Sequence, residues 1–271
     1  MSSRFRSLAL LGFACASLHT SAQARERTLR VCADPVNLPF SDDRARGFEN
    51  KIAELLAKEL SAELSYTWRA QRRGFLRNTL NAGTCDVVIG VPVGLDAVRT
   101  TAPYYRSTFA FVVRKGSRYV GLSSVADERL RDAKIGVPLA GDDGANPAPV
   151  MALSRRGITQ NLVGFSLWDE YRREIPKAVE AVARGDIDVA ILWGPVAGAA
   201  HKLPGLVVSP IREESDGPVP FAFSIAMGVR PADLALKSEL DSVLARKRAA
   251  INAILRAYHI PLLPMTKEPS K

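Results

Sequence analysis

The sequence predicts an α/β protein of two lobes joined by a hinge. Two observations carry that reading: strand-like and helix-like segments alternate in two successive runs, and extended apolar stretches near 109–114 and 220–229 separate and rejoin them. Such alternation specifies an open sheet flanked by helices, with right-handed connections.

In the first run, residues 30–33 read as a strand. Phe48, Ile52, Leu55, Leu56 and Leu60 then recur at helical spacing, so one face of that helix is buried. Residues 64–68 alternate as a strand does, a helical segment over 73–81 stops at Gly83, and 86–91 is a nearly unbroken apolar run. A run of that kind suits a parallel strand covered on both faces. The second run starts after Gly116, with strands at 134–137, 161–165 and 188–192 and helices over 147–156 and 176–183 closed by Gly157 and Gly185. Proline in the first turn and glycine past the last are the expected punctuation. A strand at 221–229 and a helix within 231–258 complete the chain. The expected division is 1–24 as a secretory signal, 25–112 with 222–271 as the first lobe, and 113–221 as the second.

The signal rests on Arg4 and Arg6, an apolar stretch over 8–16, and the small-residue site Ala22-Gln23-Ala24. Export places the mature chain in the periplasm, an oxidising compartment. Cys15 leaves with the signal, and the remaining pair, Cys32 and Cys85, each adjoin a strand-like segment. One disulfide is expected between them, stabilising the fold by about 3 to 4 kcal/mol. No CxxC pair is present, and His201 and His259 are the only mature histidines, so neither a redox nor a metal role is expected and no cofactor motif appears. Formal charge is +9, falling to +7 once Arg4 and Arg6 are removed. Export argues against a nucleic-acid partner, and the apolar start is too short to span a membrane. The scattered basic residues, including Arg69, Arg72, Arg73 and Arg77, suit a solvated surface or the steering of an acidic protein.

The mature chain resembles the type II periplasmic binding fold of ABC-transporter solute receptors. More closely, CADPVNLPFSDDRARGFENKIAELLAKEL, QRRGFLRNTLNAGTCDVVIGVPVG, RTTAPYYRSTFAFV, GDIDVAILWGPVAG and IAMGVRP are similar to the MoxJ/XoxJ group, binding-like proteins encoded beside quinoprotein dehydrogenases. The resemblance implies a non-enzymatic accessory whose partner is a PQQ-dependent alcohol or methanol dehydrogenase or its cytochrome c. The alternative is a transporter receptor for a small organic solute.

One departure bears on the ligand. In amino-acid receptors of this fold an arginine grips the ligand carboxylate and an aspartate of the second lobe takes the ammonium; the corresponding positions here fall at Gly94 and Trp193. Arg99 could supply a cation, but from a different point of its loop. Pro39, Phe40, Trp68, Pro92, Tyr104, Tyr105, Pro138, Leu139 and Trp193 all fall at or beyond strand ends, with Asp34, Asn37, Arg72 and Asn146 as polar candidates around them. Aromatic anchors bury large area at small entropic cost, so a peptide or protein segment suits this cleft better than a zwitterion. Each also has a packing reading: Tyr104 and Tyr105 at the hinge, Trp68 in the core, Asp34 and Asn37 as turn caps, Asn146 as a helix cap. No nucleophile, base or dinucleotide motif points to an enzyme. Some proteins of this fold do act through carboxylates, which leaves Glu49 and Asp96 open.

Overall fold

The computed structural model describes residues 27–139, 147–166 and 173–265. The expected signal and Asn146 lie outside them. The first run builds β1 (Thr28–Ala33), β2 (Val36–Asn37), β3 (Ser41–Asp42), α1 (Phe48–Glu59), β4 (Glu63–Trp68), α2 (Phe75–Asn78), β5 (Val87–Pro92) and β6 (Arg99–Thr100). The long strand β7 (Tyr105–Arg114) leads to β8 (Ile135–Pro138), α3 (Ala148–Arg155), β9 (Leu162–Phe165), α4 (Lys177–Arg184), β10 (Val189–Trp193) and α5 (Gly194–Ala197). After β11 (Leu206–Pro210), β12 (Ser215–Asp216) and β13 (Val219–Pro220), the chain returns through β14 (Ala222–Val229) and enters α6 (Leu234–Ala257).

In the first lobe β4, β1 and β5 run parallel, and β14 inserts antiparallel beside β5. The buried stripe of α1, with Phe48, Ile52 and Leu56 fully enclosed, packs with Val31, Met227 and Leu255 into one core. Cys32 and Cys85 are joined as a disulfide with α carbons 5.5 Å apart, between Phe75, Leu80 and Val88. The helix expected over 73–81 is confined to α2, because Gly74 takes left-handed backbone (φ 82) and Thr79 leaves the helical region (φ −125, ψ −85).

The second lobe carries β7, β10, β8 and β9, with a core on each face of that sheet. Phe111, Ile135, Leu153 and Phe221 fill one, while Val112, Val179, Val182 and Leu192 fill the other. β11, a strand the sequence pattern does not announce, adds to β7 along Leu206↔Arg114 to Pro210↔Ala110. Among the described residues no helix is long and apolar enough to cross a membrane.

β7 belongs to both lobes. Tyr105–Thr108 pair with β14, and from Phe109 onward the strand pairs with β10, so the crossing falls between Thr108 and Phe109. A ten-residue strand spans roughly 33 Å, enough to serve two sheets. The carboxyl-terminal tail reinforces this point: Ser107 Oγ donates to the Pro261 carbonyl at 2.6 Å and the Leu263 amide donates to the Arg106 carbonyl at 2.8 Å.

Candidate binding cleft

The crossing strands carry the candidate site. Trp193, the last residue of β10, sits opposite Phe109 in the ladder. Its ring meets Phe109 at 5.5 Å and Phe223 at 5.6 Å, both edge-on, and it packs against the first-lobe core as well. All three aromatics are half-buried. Edge-to-face contacts of this kind are worth about 0.5–1.5 kcal/mol each beyond area burial. Trp193 therefore couples the lobes.

Gly94 is exposed, has φ 82, and has open space around it. That left-handed backbone disfavours any larger side chain there. Arg99 does not compensate: β6 pairs it with Val229, whereas the cleft-side end of β5, Pro92, pairs with Ile225. Four residues along a strand are about 13 Å, so Arg99 lies toward the opposite end of the sheet.

The other candidates divide. Phe40 is half-buried and packs on Phe48 at 5.4 Å, Pro39 follows a cis peptide and lines a cavity between the lobes, and Pro92 and Leu139 are exposed at their strand ends. Pro138 is buried. Asp34 serves its own turn: its carboxylate accepts from the Val36 amide at 2.9 Å and the Gln71 amide at 2.7 Å. Asn37 joins the same corner through Gln71 at 3.4 Å, and Arg72 is exposed beside it. Trp68 is half-buried and stacks on Tyr66 at 4.4 Å. Tyr104 and Tyr105 are 8% and 3% exposed, which makes them chiefly hinge packing.

Two features have no clear signal in the sequence. A charged bridge crosses the lobes: Arg46 Nη1 donates to Glu174 Oε1 at 2.6 Å, and Lys202 Nζ donates to Glu174 Oε2 at 3.0 Å. Those cations, Lys202 foremost, hold the Glu174 carboxyl below its usual range. Arg46 is itself oriented by buried Asp42 at 2.6 Å, and Tyr258 donates to its carbonyl at 2.6 Å. A cavity of about 160 Å³ lies beside this bridge, lined by Leu38, Pro39, Ala199 and His259 among others. The second feature is Glu49, whose carboxyl burial pushes up to about 8.

The fold meets its counterparts in known proteins. Residues 29–259 match the model of bacterial extracellular solute-binding proteins, family 3. The chain belongs to that family. It is 31% identical to the MoxJ protein of Paracoccus denitrificans over 276 aligned residues, covering 96% of this chain and 98% of the relative. A MoxJ protein of Methylorubrum extorquens is 33% identical over 252 residues, 88% of this chain and 83% of the relative. Among solved structures, the periplasmic binding protein XoxJ from Methylobacterium extorquens AM1 is 37% identical with a TM-score of 0.72, covering 88% of this chain and all of that one. This family-3 binding protein thus has the type II periplasmic fold of two α/β lobes about a cleft, with aromatic packing at the crossing.

Proposed function

We propose that this protein is a non-enzymatic periplasmic accessory that binds, or helps mature, a PQQ-dependent methanol or alcohol dehydrogenase system. What supports the reading is Trp193, whose ring packs on Phe109 and Phe223 at the crossing; we take its position as the one at which amino-acid receptors of this fold present a charge, and Gly94 as the position of the opposing cation. A desolvated zwitterion would lack both partners, a loss of several kcal/mol. Phe40, Trp193, Pro92 and Leu139, taken as the apolar edge of the cleft, would suit a protein or peptide segment instead. Similarity to the MoxJ and XoxJ proteins supports the dehydrogenase as its source. The lobes are taken as 25–112 with 222–271, and 113–221, the first 24 residues being the export signal.

The test is capture of a purified quinoprotein methanol dehydrogenase, or its cytochrome, by the immobilised mature chain. Capture is expected, and Trp193→Ala is expected to weaken it about 30-fold, a loss of about 2 kcal/mol typical of a hot-spot aromatic, with the fold intact by circular dichroism. Recovery of a small solute without any protein partner would overturn the reading.

A further inference from the structure

Acidic groups in this protein are generally matched by arginines. Asp86 pairs with Arg30 and Arg230, and Asp216 with Arg155 and Arg156. Lys and Arg number 37 against 28 Asp and Glu, so cations are in excess. Glu49 is an exception: its carboxyl makes no ion pair or side-chain hydrogen bond among the described residues, although it is surrounded by protein. It stands in the first turn of α1, and its amide donates to the Phe40 carbonyl at 2.9 Å. The carboxyl lies over Gly90 of β5, where a β-carbon would overlap Oε1 and come within 3.1 Å of the carboxyl carbon. The missing side chain at 90 makes the space that this carboxyl fills. Tyr66, Tyr104 and Tyr105 lie near enough for its charge to raise their hydroxyl pKa values, after the larger effect of burial.

Part of the Glu49 surface is nonetheless accessible to solvent, as is part of Gly90. The carboxyl thus lies between the start of α1 and the cleft-side half of β5, on a residue that keeps some contact with solvent. The dipole of α1 favours a negative charge at this point. Burial outweighs it, since the carboxyl is pushed up to about 8 and holds its proton at neutral pH. A cation arriving from outside would reverse that balance.

We propose that Glu49, with Gly90 and Phe40, forms a cleft subsite for a primary ammonium group. A compact ammonium carries three donors on a flexible apolar stem. The stem can lie along the half-buried face of Phe40 while the head meets the carboxylate. Binding transfers the Glu49 proton to buffer and leaves an ammonium–carboxylate pair. Such a group can come from a free alkylamine or from a lysine side chain of a protein segment; the second source rests on the function proposed above.

The experiment uses the full mature chain with n-butylammonium, Nα-acetyl-lysine amide and neutral n-butanol as probes. The Glu49 carboxyl carbon, followed by NMR, is expected to titrate near 8 and to shift to lower pH when butylammonium is added. Calorimetry in two buffers of different ionisation enthalpy is expected to show proton release on binding at neutral pH. Glu49→Gln should abolish that release and the binding, while n-butanol produces neither. Gly90→Ala, checked by thermal unfolding, should reduce binding by displacing the carboxyl. Equal binding of butylammonium and butanol, no binding of either ammonium probe, or full binding by Glu49→Gln overturns the proposal. Binding of acetyl-lysine amide without butylammonium assigns the site to a lysine-bearing segment, and the reverse assigns it to a free amine. Dehydrogenase capture measured in parallel separates a failed subsite from a failed function.

Discussion

His201, on the 3-10 turn Gly198–Lys202 of the second lobe, stacks on His259, just beyond α6, with ring centroids 4.0 Å apart and planes 23° from parallel. The contact joins elements of opposite lobes beside the Arg46–Glu174–Lys202 bridge. Burial first, and the neighbouring His259 second, hold the His201 pKa below its ordinary 6.5. The stacked state therefore takes up a proton less readily than free imidazole. Its stabilising contribution is complete above pH 6.5 and is lost as pH falls through the lowered value. Both residues are exposed, so solvent screens the repulsion and the effect is a bias toward opening. Spin labels at Lys58→Cys and Ala183→Cys are expected to report longer interlobe distances at acid pH, and less change in His201→Phe. A distance distribution independent of pH would refute this.

Glu174→Gln should loosen the same seam. The side chains of Arg46 and Glu174 are 35% and 49% exposed, so solvent limits the pair to about 1 kcal/mol or less. The expected outcome is a modest rise in the long-distance population at neutral pH, which added salt produces in the wild-type chain as well. An unchanged distance in both cases would show that the bridge does not restrain the lobes.

The disulfide should matter more for stability. Cys32 and Cys85 are separated by 53 positions, and closing a loop of that size removes about 4 kcal/mol of unfolded-state entropy. Cys32→Ser with Cys85→Ser is expected to lower the unfolding free energy by about that amount in urea. Mass measurement before and after reduction tests the bond itself, and two free thiols in the oxidised preparation would exclude it.

Gly94→Arg should not restore an amino-acid receptor. Its left-handed backbone (φ 82) makes a larger residue cost about 1–3 kcal/mol, and Trp193 still offers no carboxylate from the second lobe. Titration with glycine, glutamate and arginine is expected to show no gain in affinity over the wild-type chain. Tight binding of any of them would mean that the loop rearranges easily.

Asp34→Ala should destabilise the chain rather than alter capture. Two backbone amides, of Val36 and Gln71, lose their acceptor. Both donors are only partly buried, so losing the hydrogen bonds costs about 0.5–1.5 kcal/mol each. A selective loss of dehydrogenase capture at unchanged stability would return Asp34 to the binding surface.

Much of the first lobe is legible because its elements obey local periodicities. The spacing of Phe48, Ile52 and Leu56 announces α1, and the apolar run at 86–91 announces β5 within one residue. The pattern overstates α2, since nothing in it shows that Gly74 adopts φ 82. β11 escapes because five residues ending in proline carry little periodic signal. In the cleft, Trp193 can be singled out by counting from the receptor motif. The state of Glu49 cannot, because a carboxyl at a helix start ordinarily faces water.

By itself the sequence determined the alternating α/β order, the pairing of Cys32 with Cys85, and the absence of charge at positions 94 and 193. These depend on residue type and on neighbours close in the chain. Only the tertiary structure decided that Trp193 lies between Phe109 and Phe223, that Arg46 reaches Glu174 across 128 positions, and that Glu49 settles over Gly90 without a counter-ion among the described residues. Each depends on how separate elements approach one another, and burial and charge pairing take their values from that approach.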